Sequence, residues 1–423
     1  MIRIGSNSCP YLDNGQCVIN VRKGFLLLKI LLATNWEMRQ SGGITTYLRQ
    51  MTRGFTRRGH KVDLLTRQVG SHDFKFNGEK IFTNDFVVRR VDVSSNNRLE
   101  IENSKIDGKP IVQAMKIERL SFAWVAKQLD LSHYDILHAQ DAIAVQALSE
   151  VRPPGVPLVS TFHGSLSREN VPGKYHPLAP YYAEQEYHGV VCTDKTIVPS
   201  QWMRRFLTSE YAIPDDQFVT IPYGIDSESL LYRAKQTPHL QPPPDKKVIL
   251  CPARLSPGKG QTVLMRALAK LKQQRQDWVC WLVGGGPLLT LLKNQRRILA
   301  LDQHVMFLGE TADVPALLNL ADVAVLPSLQ DNQPFAIMEA QIVGKAIVTT
   351  DAGGIPEMVS HGKTALLAIA GNSDSLYENL LQLLSDKDLR RTLARNSKQE
   401  GRLRWSLETA LNRTEKLYHD VCS

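Results

Sequence analysis

Short apolar runs alternate with stretches whose hydrophobic positions recur at helical spacing through most of the 423 residues. Runs of that kind, buried on both faces and each followed by a helical pattern, argue for parallel α/β units. In the first half the pattern predicts strands at 25–33, 61–66, 135–138, 156–162, 194–198 and 218–221, with helices at 44–58, 113–130 and 200–210. Residues 67–110 are polar and irregular apart from an expected strand at Phe86–Val93, and read as an insertion beside a cleft. In Ser227–Lys247, Pro238, Pro242, Pro243 and Pro244 interrupt any regular element, which marks a linker. The alternation then restarts, with strands at 247–252, 277–283, 304–308, 322–326 and 346–349. Helices are expected at 260–274, 287–300, 313–320 and 334–344, and helices fill the rest. The expected organisation is an N-terminal extension (1–24), a first domain (25–226), a linker (227–247), a second domain (248–405) and a terminal helical segment (406–423). Two doubly wound α/β domains side by side put a ligand in the crevice at the carboxyl ends of their strands.

Composition narrows the class only a little. Hydrophobic content of 43% with 22% charged residues is that of an ordinary globular protein. The net charge of +9 favours anionic partners in general. Both halves share the excess, and neither a lysine-rich tail nor an aromatic-basic stacking motif occurs, so a nucleic-acid partner is not expected. Cys9, Cys17, Cys192, Cys251, Cys280 and Cys422 show no zinc-ligand spacing, and Cys251 and Cys280 read as buried thiols of a reduced, cytoplasmic protein. The run Phe25–Ala33 follows Arg22 and Lys23 as a signal peptide would, but Lys29 interrupts it and a helix follows, so it reads as the first buried strand. No run approaches the ~20 apolar residues of a membrane span.

The stretch Asp331-Asn-Gln-Pro-Phe-Ala-Ile-Met-Glu339 sets a loop carboxylate eight residues ahead of a second one on the following helix. Asn332 reads as the N-cap and Pro334 as part of the first turn, so the helix begins between the acids. Its free N–H groups suit a phosphate, and Glu339 stands about 7 Å along the axis at ~1.5 Å per residue. A carboxylate on each side of a phosphate site matches a ligand carrying hydroxyls on both sides of its phosphates, as a nucleotide-sugar does.

Other junctions agree with that crevice. Ala253-Arg-Leu-Ser-Pro-Gly-Lys-Gly260 follows the first strand of the second domain, where Arg254 and Lys259 can neutralise a diphosphate; the alternative is a solvated basic loop. Val283-Gly-Gly-Gly-Pro287 opens the next helix, and Leu289 stands where a dinucleotide fingerprint starting at Gly284 needs a third glycine, so close backbone approach without NAD is expected. Ser41-Gly-Gly-Ile44 starts the first helix after the first strand, and Gly42 and Gly43 either bring backbone close to a ligand or merely make the turn. His163, in Thr161-Phe-His-Gly164, ends a strand where it would line the crevice. Arg49, Arg53 and Arg57, with Arg58 and Lys61 nearby, form a basic stripe that is either a solvated helix face or a contact with anionic membrane.

Taken in order and spacing, these motifs resemble the retaining glycosyltransferases of family 4, which have the GT-B fold of two Rossmann-like domains facing across a cleft. The resemblance runs from about Phe25 to the last helix. The acidic pair is similar to the family's Glu-x7-Glu, with Asp331 in the first place, which withdraws the carboxylate by ~1.5 Å and bears on donor-sugar identity. Asp135-Ile-Leu-His-Ala-Gln-Asp141 resembles Asp-x-x-His-x-His with Gln140 for the second His, and Ile221-Pro-Tyr-Gly-Ile-Asp226 resembles Ile-Pro-Asn-Gly-Val-Asp with Tyr223 for Asn.

The resemblance implies that Arg254, Lys259, Gly42, Gly43, Gly284, Phe335, Ala336 and Glu339 bind the donor. His163, Arg254, Lys259 and Asp331 would serve the chemistry, Asp331 by accepting from the sugar's hydroxyls and Glu339 from the ribose. His138 and Asp141 fall on the acceptor side. It also implies a UDP- or GDP-sugar as co-substrate and a glycan, lipid-linked or small-molecule acceptor. No cofactor is expected, and no metal, because Asp386-x-Asp388 falls between C-terminal helices and reads as a helix start. The terminal helix is expected to cross back to the first domain. Two rival readings share the motifs: a GT-B nucleotide-sugar epimerase, which needs no acceptor, and a non-catalytic nucleotide-sugar-binding relative.

Overall fold

The computed structural model describes residues 21–22, 25–38, 42–68, 73–81, 110–165, 178–238 and 240–423. The expected strand at Phe86–Val93, Ser41 and most of the N-terminal extension lie outside the described residues.

The first sheet is built around β1 (Lys29–Glu37), in which Ile30, Leu31, Leu32 and Ala33 are wholly buried. The apolar run does not form one strand from residue 25. Phe25–Leu26 pairs antiparallel with Val21–Arg22, and the Leu28 N–H donates to His60 Nδ1 at 3.1 Å, so the sheet ladder starts at Lys29. After β1 come α1 (Gly43–Arg57), β2 (Lys61–Arg67), β3 (Phe74–Phe76), β4 (Glu79–Ile81), α2 (Pro110–Gln128), β5 (Ile136–Ala139), α3 (Ala142–Val151), β6 (Leu158–Thr161), α4 (Ala179–Val191), β7 (Lys195–Val198), α5 (Gln201–Tyr211) and β8 (Phe218–Thr220). The strand order is β8-β7-β6-β5-β1-β2-β3-β4, parallel except for β3 and β4. These two correct the irregular reading of the insertion. Asn77 and Gly78 both take positive φ, the two-residue turn that Asn-Gly favours, and Phe74 packs edge-on to Phe122 of α2.

The stretch expected as an irregular linker begins with a helix, α6 (Ser227–Ala234), because the Asp226 side chain accepts from the Ser229 N–H at 3.0 Å and Leu230 and Ala234 are buried. The prolines govern only the residues after it. The second sheet follows: β9 (Lys247–Pro252), α7 (Gln261–Gln274), β10 (Trp278–Val283), α8 (Leu289–Ile298), β11 (Val305–Gly309), α9 (Val314–Leu320), β12 (Val323–Leu326), α10 (Phe335–Val343), β13 (Ala346–Thr350) and β14 (Leu366–Ala368). Its order is β11-β10-β9-β12-β13-β14, all parallel. β14 corrects the expectation of helices alone after residue 349; at three residues it is too short to show a period.

The chain closes with α11 (Ser373–Ser385), α12 (Lys387–Arg404) and α13 (Leu407–Cys422). Asp386 caps α12, accepting from the N–H groups of Asp388 and Leu389, so this Asp-x-Asp is a helix start. α13 returns to the first sheet: Leu411 fills the space beside Gly54 of α1, and Arg58 is held by Glu408 and Glu415. Strand order reverses between β1 and β5 in one sheet and between β9 and β12 in the other. Those are the switch points where doubly wound folds bind ligands.

Candidate functional site

The second-sheet wall begins where β9 ends. Gly284 and Gly286 lie at φ 140° and 152°, and a side chain on either would collide with the Ala253 or Leu255 carbonyl. The glycine turn thus presses on the basic loop, and Leu255 N–H donates to Gly285 O at 2.9 Å. Gly284 in this way holds Arg254 at the strand end, with the guanidinium exposed and without a partner among the described residues. Lys259 is engaged. Its Nζ stands 2.6 Å from Asp331 Oδ2, which also accepts from Ser328 Oγ at 3.0 Å, while Oδ1 takes the Asn332 N–H at 3.2 Å. Asp331 is 7% exposed. Asp331, expected to accept from the sugar's hydroxyls, stands here as the counter-ion of Lys259.

The helix between the acids also differs from expectation. Pro334 is the N-cap residue of α10 with extended ψ of 124°, and no side chain caps it. Asn332 is drawn away, donating from Nδ2 to the His163 carbonyl at 3.2 Å and accepting the Ser200 hydroxyl at Oδ1. The first N–H groups of α10, those of Phe335 and Ala336, have no carbonyl four residues back to bond and carry the positive end of the helix dipole. Glu339 is half-buried with no hydrogen-bond partner among the described residues. Burial pushes its carboxyl up to about 7, opposed by the charge of Arg233.

The first-sheet wall faces this helix. Gly42, at φ 135°, caps α1, and a Cβ at Gly43 would stand 3.6 Å from the Phe335 ring. Phe335 stacks on Tyr223 at 5.1 Å between centroids, with 13° between planes. His163 lies behind them, its Nδ1 2.6 Å from Tyr223 Oη and its Nε2 3.1 Å from Gln140 Oε1, while Tyr47 packs edge-on to its ring at 4.9 Å. Burial pushes the imidazole down to about 3 and the Tyr47 phenol up to about 12.

His138 and Asp141 do not face the crevice as open groups. His138 is fully buried, with Nδ1 2.6 Å from Tyr418 Oη of α13 and Nε2 2.7 Å from Thr161 Oγ1. Asp141 caps α3 through the Ala144 N–H at 2.9 Å and accepts from Thr34 Oγ1 and the Asn35 N–H. Both are satisfied within the protein. Sequence reasoning missed Tyr47, Ser200 and Gln333, the last accepting the Tyr223 N–H at 2.8 Å and joining the two walls. Tyr47 and Ser200 sit in no motif, and Gln333 lies inside the Asp331–Glu339 stretch, but its link to Tyr223 appears only in the tertiary structure.

Arg254 after β9, the Lys259–Asp331 pair and the uncapped start of α10 thus stand at the carboxyl ends of β9 and β12, with Glu339 further along α10. Two family models match along the chain: "Glycosyltransferase Family 4" over residues 41–229 and "Glycosyl transferases group 1" over residues 233–400. The chain belongs to glycosyltransferase family 4. Its fold is GT-B, as the two α/β sheets and the solved structures agree. It is 30% identical over 162 residues to an N-acetyl-alpha-D-glucosaminyl L-malate synthase of Bacillus anthracis, covering 37% of this chain and 41% of that one. It is also 30% identical over 153 residues to a GDP-mannose-dependent alpha-(1-6)-phosphatidylinositol monomannoside mannosyltransferase of Mycobacterium tuberculosis, covering 34% and 40%. The match thus spans about two fifths of each of these relatives. Anabaena HepE, solved in complex with UDP-glucose, superposes with a TM-score of 0.66 at 20% identity over 93% of this chain and all of that one (100%).

Proposed function

We propose that this glycosyltransferase moves a sugar from a UDP- or GDP-sugar to an acceptor hydroxyl with retention at the anomeric carbon. The observation that carries the reading is the grouping of exposed Arg254, Lys259 and the uncapped start of α10 with the open carboxylate of Glu339. Glu339 accepts from the ribose hydroxyls. Arg254, Lys259 and the N–H groups of Phe335 and Ala336 stabilise charge growing on the leaving diphosphate. The acceptor oxygen bonds to the anomeric carbon on the face that the diphosphate leaves, and its proton passes to a phosphate oxygen of the departing nucleotide. An oxocarbenium-like transition state formed this way needs charge stabilisation more than a nucleophile, and His163 is neutral and internally bonded, suited to shaping the site.

The solved UDP-glucose neighbour and the GDP-mannose-dependent relative support the donor class and leave both bases open. The cations on the chain suffice for the diphosphate, so the reaction is proposed to run without a metal. Acceptors considered are glycans, lipid-linked sugars and small molecules. Arg49, Arg53 and Arg57 are exposed on α1 and favour peripheral contact with anionic membrane from the cytoplasm; Arg58 is removed from that stripe by Glu408 and Glu415. No helix among the described residues is long and apolar enough to cross a membrane.

The test is hydrolysis and binding of UDP- and GDP-sugars by wild type and Glu339→Ala, with and without EDTA. One donor turned over by wild type, lost in the variant and changed less than about twofold by EDTA is the expected result. Failure of every nucleotide-sugar to bind would remove the reading, and an epimerised donor appearing without acceptor would replace it.

A further inference from the structure

Two of the positions that depart from the family pattern converge on one ring. Gln140 stands where the pattern has His, and Tyr223 where it has Asn. Their side chains meet the two nitrogens of His163, at 3.1 Å and 2.6 Å. The amide of Gln140 has a defined orientation, because its Nε2 donates to the His138 carbonyl at 3.3 Å. Oε1 is therefore the atom facing His163, and an oxygen that can only accept requires the proton on His163 Nε2. A neutral ring then leaves Nδ1 bare to accept the Tyr223 hydroxyl.

We propose that Gln140 and Tyr223 are positioning residues that hold His163 as the neutral Nε2–H tautomer, with Tyr223 also tying that ring to Phe335 at the start of the donor helix. The remaining contacts fit this role. The His163 carbonyl accepts Asn332 Nδ2 at 3.2 Å, so backbone and ring of the same residue both reach the acidic-pair segment. Tyr47 closes the third side edge-on. The titratable groups that face the ring are Tyr47, Tyr223 and His138, and burial alone accounts for the lowered basicity of His163. Both nitrogens are already bonded inside the protein, so the ring acts by fixed position and not as a proton carrier. The kinetic consequence rests on the proposed transfer reaction; the tautomer does not.

Protein labelled with ¹⁵N-histidine, with the His163 signals assigned by their loss in His163→Gln, tests the tautomer directly. Wild type is expected to show a protonated-type Nε2 and a bare Nδ1 that do not titrate between pH 5 and 8. Gln140→Glu puts a carboxylate beside Nε2 and brings His163 into that range, and Tyr223→Phe shifts the Nδ1 signal. A His163 that titrates in wild type, or that ignores both substitutions, overturns the proposal. In UDP- and GDP-sugar hydrolysis, Gln140→Glu is expected to add a pH limb matching the new His163 titration. Tyr223→Phe is expected to lower kcat about tenfold with donor KM within about twofold, as for loss of an orienting contact. If no donor is hydrolysed by wild type, the transfer reading fails while the ¹⁵N spectra still decide the tautomer. If hydrolysis proceeds and the spectra contradict the tautomer, only the present proposal falls.

Discussion

On the first-sheet wall of the crevice, both ring nitrogens of His138 and of His163 and both carboxylate oxygens of Asp141 meet partners inside the protein. On the second-sheet wall, the guanidinium of Arg254 and the carboxylate of Glu339 have none among the described residues, and α10 starts without a side-chain cap. A satisfied wall is rigid before any ligand arrives. An open one keeps charged groups that water serves until a ligand of matching charge takes over their hydrogen bonds. The contrast assigns shape to one side and charge recognition to the other. Lys259 and Asp331 are the exception on the second wall, an opposed pair already made.

That pair gives the largest expected effect. Lys259→Ala removes a diphosphate cation and leaves Asp331 buried without its counter-charge. Donor hydrolysis should fall by at least ~10²-fold, the scale of losing one charge-stabilising group. Stability should fall by roughly 2 kcal/mol, less than for a fully buried pair because the lysine is 29% exposed. Lys259→Met with Asp331→Asn should recover most of the midpoint in urea and little of the hydrolysis. Recovery of both would show that the pair serves packing alone.

Glu339 sharpens the same contrast through pH. With its carboxyl near 7 and an unfolded value near 4.5, the free protein holds it partly protonated at neutrality. Ribose hydroxyls donate to the ionised form, so donor affinity should rise as pH climbs to about 7 and then level. Calorimetry should find a proton released on binding below that pH. Glu339→Gln should bind about tenfold more weakly at pH 8, as for a lost charged hydrogen bond, and show no such pH dependence. Its stability contribution has the opposite sense: the buried carboxylate costs stability increasingly as pH rises from 4.5 to 7, so the Gln variant should gain on wild type over that range.

The satisfied wall predicts the reverse slope. His138 is held near 3 by burial against an ordinary 6.5, so the unfolded chain binds a proton that the native state refuses. Stability should therefore be lost as pH falls below about 6.5, by at most ~1.4 kcal/mol per pH unit for this residue. His163 adds in the same direction. Urea midpoints between pH 7 and 5 check this, and a His138→Gln variant whose acid sensitivity matches wild type would remove the assignment.

How much of this was legible in sequence also differs between the walls. The strands of the second sheet before residue 351 fall within a residue of their expected places, because runs such as Val248–Cys251 and Val279–Val283 are buried on both faces and end at glycine or proline turns. Basic loop, glycine turn and acidic pair are local motifs, so the meeting of Lys259 with Asp331 was readable from them, and Arg254 and Glu339 were readable as candidates after β9 and on α10. What each carboxylate bonds was not readable. The cap expected of Asn332 failed because Ser200 and His163, 132 and 169 residues away, compete for the same side chain, and no local rule registers such partners. On the first wall the residues that matter are substitutions in motifs, Gln140 and Tyr223, and their shared target appears only when β5, β6 and the turn after β8 converge. The Asn77-Gly78 hairpin, by contrast, was a local signal obscured by the polar residues around it.

The smallest expected effect separates the two glycines at the mouth of the crevice. Gly42 sits at φ 135°, a backbone that a side chain strains, so Gly42→Ala should cost about 1–2 kcal/mol. Gly43 has no such φ and opens α1, where alanine is the better helix former by up to ~1 kcal/mol. Its added methyl would stand 3.6 Å from Phe335, an ordinary contact that the fold tolerates. Gly43→Ala should thus hold or raise the melting temperature while narrowing the gap to the start of α10, where the diphosphate is proposed to lie. Donor KM should then rise several-fold with folding intact. An unchanged KM would mean that the gap beside Phe335 is not on the donor's path, and the charge-recognising wall would have to be redrawn deeper, around Arg254 and Glu339.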